Sequence, residues 1–186
     1  MRAIQWWAIG LVCAGLSRAT ILAAETTAST NASRAKAGIY DSRVLAYAHF
    51  WQESHQQKLR ETINAARNAR SAGQTERLRE LEAAIKAEQD RNHLQVFSTA
   101  PVDNVLAEMK DRVESTKREA GVSSLVSKWN EEALKLYPSG QQVDVTDLLL
   151  RDFKLTEQQK KVIEDLRRQK PLPLDKAREL LQKGEL

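Results

Sequence analysis

The chain has 186 residues, a formal charge of +4, 29% charged residues and a single cysteine. Arg2 and Arg18 lie in an N-terminal leader, and the excess of +2 that remains without them excludes a nucleic-acid-binding composition. Few aromatics among many charges exclude a large globular core and suit long solvated helices.

Arg2 precedes an apolar run over 3–16 that contains Trp6, Trp7, Ile9, Leu11 and Val12, and small residues follow. This pattern is a secretory signal peptide over 1–24, cleaved between Ala19 and Glu25. The run is short for a membrane span, and Arg18 interrupts it. Val12 before Cys13 is a poor fit to a lipoprotein cleavage box, so a lipid anchor is not expected. Cys13 lies inside the leader, so the mature chain has no thiol or disulfide chemistry. A cysteine-free exported chain fits a bacterial periplasm. The segment 25–36 is small and polar and reads as a disordered linker.

A short strand is expected at Ala37-Gly38-Ile39-Tyr40, followed by helix caps at Asp41 or Ser42. The first helical turns, 44–51, are apolar nearly all round, so Tyr47, Phe50 and Trp51 are expected to be buried. From Gln52 the helix becomes amphipathic and charged. No aromatic occurs between Trp51 and Phe97, and the stretch is symmetric about Ser71-Ala72-Gly73-Gln74. Leu59, Ile63 and Ala66 precede that centre; Leu78, Leu81 and Ile85 follow it at mirrored distances. Spacings of three, four and seven put each set on one helical face. The expectation is an antiparallel helical hairpin over about 52–96, with Ile63 facing Leu81 and Leu59 facing Ile85. Its base carries the aromatics, so it should project as an arm from a small body.

Beyond the arm, Pro101 should break the return helix and start a new one over 101–120, closed by Gly121. A strand over 122–129, a short helical excursion at 130–137, a turn at Pro138-Ser139-Gly140 and a strand at 142–145 follow. Thr146 caps a helix with Leu148, Leu149 and Leu150, and Thr156 caps another with Val162, Ile163 and Leu166 on one face. Pro171-Leu172-Pro173-Leu174 is a stiff link, and Asp175 caps a last helix closed by Gly184. The expected fold class is α+β, predominantly helical, with a small β-containing body. Three short strands have open edges and bury little, so the chain should form a homo-oligomer.

Arg67, Arg70, Arg77 and Arg79 flank the arm's turn, with Glu76 as the opposing charge. They form a candidate tip for acidic clients or for anionic membrane or lipopolysaccharide surfaces. His49 and His55 do not share a helical metal-ligand spacing. His93 is expected opposite the turn formed by Gln52 to His55, but His55 and His93 are too few ligands for zinc. There is no nucleophile elbow, phosphate loop or HExxH pattern, so the reading assigns no catalytic residue, no cofactor and no metal, and expects a non-enzyme.

Two segments carry a resemblance. Lys36-Ala37-Gly38-Ile39-Tyr40-Asp41 is similar to the strand that leads into the tentacle helix of the Skp (OmpH) family of periplasmic chaperones. Asp144-Val145-Thr146-Asp147-Leu148-Leu149-Leu150 is similar to that family's closing segment. With the order of elements between them, the resemblance covers about Lys36 to Phe153. It implies a domain over 37–153, a trimer, and holdase activity on unfolded envelope or outer-membrane proteins without nucleotide. The chain departs from the family in its shorter arm, in Pro101, and in a C-terminal helical tail over 154–186. The residues also admit a structural or adaptor protein of the envelope that docks through the hairpin as a coiled-coil element.

Overall fold

The computed structural model describes residues 35–186; the expected leader and all but the end of the expected linker lie outside them. The described chain is mostly helical with one small sheet, an α+β fold that is predominantly α. Strand β1 (Ala37–Tyr40) is central and pairs in parallel with β2 (Ser124–Ser127) on one side and β3 (Gln142–Asp144) on the other. Parallel pairing requires crossovers. The first, from β1 to β2, contains five helices: α1 (Ser42–Phe50), α2 (Glu53–Ser71), α3 (Thr75–Phe97), α4 (Asp103–Glu108) and α5 (Lys110–Ala120). The second contains α6 (Glu131–Leu134) and a single 3-10 turn at Ser139–Gln141.

Gly38 sits at the crossing point of the sheet, opposite Leu125 and Val143. Leu125, Val145 and Val122 close in where a Cβ would stand, so this position admits only glycine without repacking. Asp41 caps α1 as expected: its Oδ1 accepts from the backbone N–H groups of Arg43 and Val44. Helix α1 is buried from Ser42 through Ala46 and again at Ala48 and His49, with Val44 and Leu45 near 0–1% exposure. It packs against α3, against α7 (Thr146–Leu150) and against α8 (Glu157–Arg168).

The first helix does not run on into the next. Trp51 ends α1, and Gln52 is extended before α2 begins. Two glutamines span the joint: Gln52 donates to the Ala48 carbonyl and Gln56 to the Phe50 carbonyl. The break turns Trp51 outward, so it is 42% exposed rather than buried; it packs edge-on against Phe50, 5.1 Å between ring centres. The helix expected over 101–120 is two pieces meeting at Met109. Hydrogen bonds from Met109 N to the Val105 carbonyl and from Val113 N to the Met109 carbonyl cross the junction, so it is a kink. Gly121, at φ +63°, lets Val122 N reach the Lys117 carbonyl and closes α5 as expected.

The C-terminal segment is part of the same core, not an appendage to it. Thr156 and Gln159 form a capping box at the start of α8, and Ile163 and Leu166 join Val44, Leu45, Val145 and Leu149 in one buried cluster. Arg167 on α8 pairs with Asp147 on α7. Leu172, between the two prolines, makes a parallel bridge with Ser98: its N–H donates to the Phe97 carbonyl and its carbonyl accepts from Thr99 N. Helix α9 (Leu174–Lys183) then packs against α3 and starts behind Pro173, so that Asp175, the expected cap, lies in its first turn. A boundary at residue 154 therefore cuts through a continuous apolar core.

Candidate functional site

Helices α2 and α3 have 19 and 23 residues, yet the residues buried on them are Ala66, Ala69, Leu81, Gln95 and Val96. The two helices meet through Ala66, Ala69 and Leu81, with Ala65, Leu78 and Ile85 packed around them. The alanines allow close approach, and the seam stays narrow. Between the helices, Gly73 at φ +69° frees Gln74 N to reach the Ala69 carbonyl, while Gly73 N reaches that of Arg70. This Schellman closure explains why the turn falls on Ala72-Gly73-Gln74.

All four candidate arginines are exposed and lie on either side of this turn. Their electrostatics differ from the sequence expectation of Glu76 as the opposing charge. Arg79 pairs with Glu76 at 2.8 Å, Arg77 with Glu80 at 2.9 Å, and Arg70 reaches from α2 to Glu82 on α3 at 2.6 Å. Arg67 donates to Asn64 Oδ1 at 3.4 Å. Glu80 and Glu82 lie within a helical turn of the arginines, so four cations face three carboxylates and the excess is a single positive charge. The structure brings the arginines to one end of the α2–α3 pair but does not leave them as a bare cationic cluster.

At the other end of that pair the helix break produces an arrangement that sequence spacing hides. His49 on α1 and His55 on α2 stack edge-on with ring centres 5.3 Å apart. His49 Nε2 lies 3.3 Å from Glu108 Oε2 on α4, and Lys58 Nζ lies 3.5 Å from the same oxygen. His55 Nε2 lies 3.5 Å from Glu88 Oε1 on α3, without a hydrogen bond. Burial pushes both imidazole pKa values below the usual value, against the pull of Glu108. His93 is exposed and packs against Phe97, 6.1 Å between ring centres. Among the described residues no group of three or more His, Cys, Asp or Glu is placed to hold a metal ion.

The body holds a buried polar knot that the sequence reading recognised only in part. Asp41 serves as the helix cap, but its carboxylate also accepts from Trp129 Nε1 at 2.9 Å and faces Lys128 Nζ at 2.7 Å. The Arg43 guanidinium, 2% exposed, donates to the Leu166 and Gln169 carbonyls at the end of α8, 2.6 Å each. Burial lowers its pKa, partly countered by Asp41. Arg43 and Lys128 each lie over the indole of Trp129, 4.7 Å and 4.6 Å from its ring centre. A charged residue two positions after the cap Asp41, ahead of an apolar run, was the available signal for Arg43. Beside this knot lies a hollow of about 960 Å³, bounded by β2, Trp129, Pro101 and the Pro171–Pro173 link.

Comparison with family models, with curated proteins and with solved structures finds no match to this chain. Among the described residues no helix is long and apolar enough to cross a membrane.

Proposed function

We propose that this chain is an exported, periplasmic holdase-type chaperone, a protein-binding rather than catalytic molecule, as its resemblance to the Skp family implies. In this reading α2 and α3 are an antiparallel hairpin arm that projects from the body, and arms from several copies enclose an unfolded envelope or outer-membrane protein. The observation that carries it is the thin seam of α2 and α3. Two helices of 19 and 23 residues bury so little that most of their surface is available for contact. Many weak contacts spread over several arms give avidity while permitting release, with no nucleotide required. Association of copies is supported by the sheet order, which leaves β2 and β3 each with one edge unpaired by a strand among the described residues.

The test is light scattering of a denatured outer-membrane protein diluted into buffer with and without the purified mature chain. Suppression of scattering at substoichiometric to stoichiometric ratios is the expected result. No suppression, together with capture of one folded envelope protein, would replace this reading by the adaptor role. Sedimentation equilibrium that shows only monomer at micromolar concentration would remove the enclosure by several arms.

A further inference from the structure

We propose that His49 and His55 form a proton-operated hinge at the joint between α1 and α2, closed when both imidazoles are neutral and opened when they are protonated. The geometry is that of a clamp across a helix break. His49 precedes the break at Trp51-Gln52 and His55 follows it, and their rings touch edge-on at 5.3 Å. Glu108, on α4 of the body, meets both sides of the break, through His49 at 3.3 Å and Lys58 at 3.5 Å. Glu88 on α3 faces His55 from the other side, and Arg91, one turn further along α3, pairs with Glu88. The joint is held by two side-chain caps, Gln52 to the Ala48 carbonyl and Gln56 to the Phe50 carbonyl, and by the backbone bond from Gln52 N to the His49 carbonyl, rather than by a continuous helix.

Charge balance sets the direction. The charges acting on the imidazoles come from Glu108 and Lys58, and for His55 also from Arg91, with Glu88 beside it. At neutral pH two cations and two carboxylates compensate. Protonating both rings adds two positive charges where the histidine side chains are only 10% and 12% exposed. Neighbouring like charges in such a place repel and are poorly solvated. Opening the joint separates the rings and admits water to both. Histidine is the side chain whose ordinary charge change falls in mild acid.

The hinge is tested on the full chain carrying Cys13→Ser with spin labels at Asn68→Cys on α2 and Lys110→Cys on α5. Distance distributions are compared at about pH 7.5 and about pH 5.5, either side of the ordinary imidazole pKa of about 6.5. A narrow distribution at the higher pH and a second, longer population that grows several-fold at the lower pH are expected, with helical circular dichroism retained. The same chain with His49→Gln and His55→Gln keeps neutral side-chain donors at both positions and should give one distribution at both pH values. If that double variant does not fold, His55→Gln alone should remove at least half of the pH response. The hinge is refuted if the unsubstituted pair gives the same distribution at both pH values, if the glutamine variants shift as it does, or if acid removes the helical signal as a whole. These outcomes do not depend on what the α2–α3 pair binds.

Discussion

Replacing Gly38 by alanine perturbs the chain at a position paired with both neighbouring strands. The added Cβ would stand 2.8 Å from Leu125 Cδ2, 3.0 Å from Val145 Cγ2 and 3.1 Å from Val122 Cγ2. Carbon atoms prefer separations of about 3.5–4.0 Å, so all three contacts are repulsive. Leu125 could rotate away, but the two valines are stiff at χ1 and belong to segments on both sides of β1. Overpacking of this kind costs about 1–3 kcal/mol, while alanine restricts the unfolded chain and returns about 0.4–1 kcal/mol, so the net loss should be about 1–2 kcal/mol. At about 2–4 °C per kcal/mol for a chain of this size, Tm should fall by roughly 2–8 °C. Urea titration followed by circular dichroism measures the loss as a lower midpoint at unchanged slope. Gly140→Ala, with nothing within 4 Å of its added Cβ, is the control and should change stability by less than about 0.5 kcal/mol. Trimming the neighbour in Gly38→Ala/Leu125→Ala should cost less than the two single losses added together. A Gly38→Ala chain as stable as the unsubstituted one would refute the steric account of the sheet.

Leu166→Ala should cost about 2–5 kcal/mol in urea unfolding, because its side chain lies in the central cluster although it sits in the C-terminal segment; a surface-like loss would make that segment dispensable. Ile63→Cys with Leu81→Cys, in a Cys13→Ser background, should oxidise to a cross-link within one chain; cross-linking only between chains would contradict the hairpin arm. Changing Arg67, Arg70, Arg77 and Arg79 to glutamine breaks exposed pairs worth about 0–1 kcal/mol each, so melting should change little. Removing the four cations from beside three carboxylates turns the tip's excess from +1 to −3, so binding to anionic vesicles should weaken and lose its salt dependence. Burial in the core raises the Tyr40 phenol to about 12, with Asp103 adding to the shift. The unfolded chain then loses this proton first, near pH 10, so the group's contribution to stability is full below about pH 10 and is lost as pH rises towards about 12. Burial also raises the Tyr47 phenol, so tyrosinate absorbance should show a component at about pH 12 that Tyr40→Phe removes.

Local chemistry was legible without the fold. Asp41 and Thr156 announced helix starts, and Gly73, Gly121 and Gly184 announced helix ends, because a side-chain cap or a positive φ is decided within a few residues. Periodicity likewise marked the apolar faces of Leu78, Leu81 and Ile85, and of Ile163 and Leu166, since a helix face depends on spacing alone. What packs against those faces depends on residues distant in the chain. Nothing near Arg43 shows that its guanidinium will meet the end of α8, more than 120 positions away. The six-residue spacing of His49 and His55 looked unhelical, and only the break at Trp51-Gln52, at the end of a helix packed against α3, α7 and α8, brings the rings together. The same break turned Trp51 outward against its apolar pattern. The parallel order β2-β1-β3 and the inclusion of the last two helices in the core were decided by tertiary packing. Burying a strand of four residues requires partners from far along the chain, and their identity is written in complementary shape rather than in any local pattern.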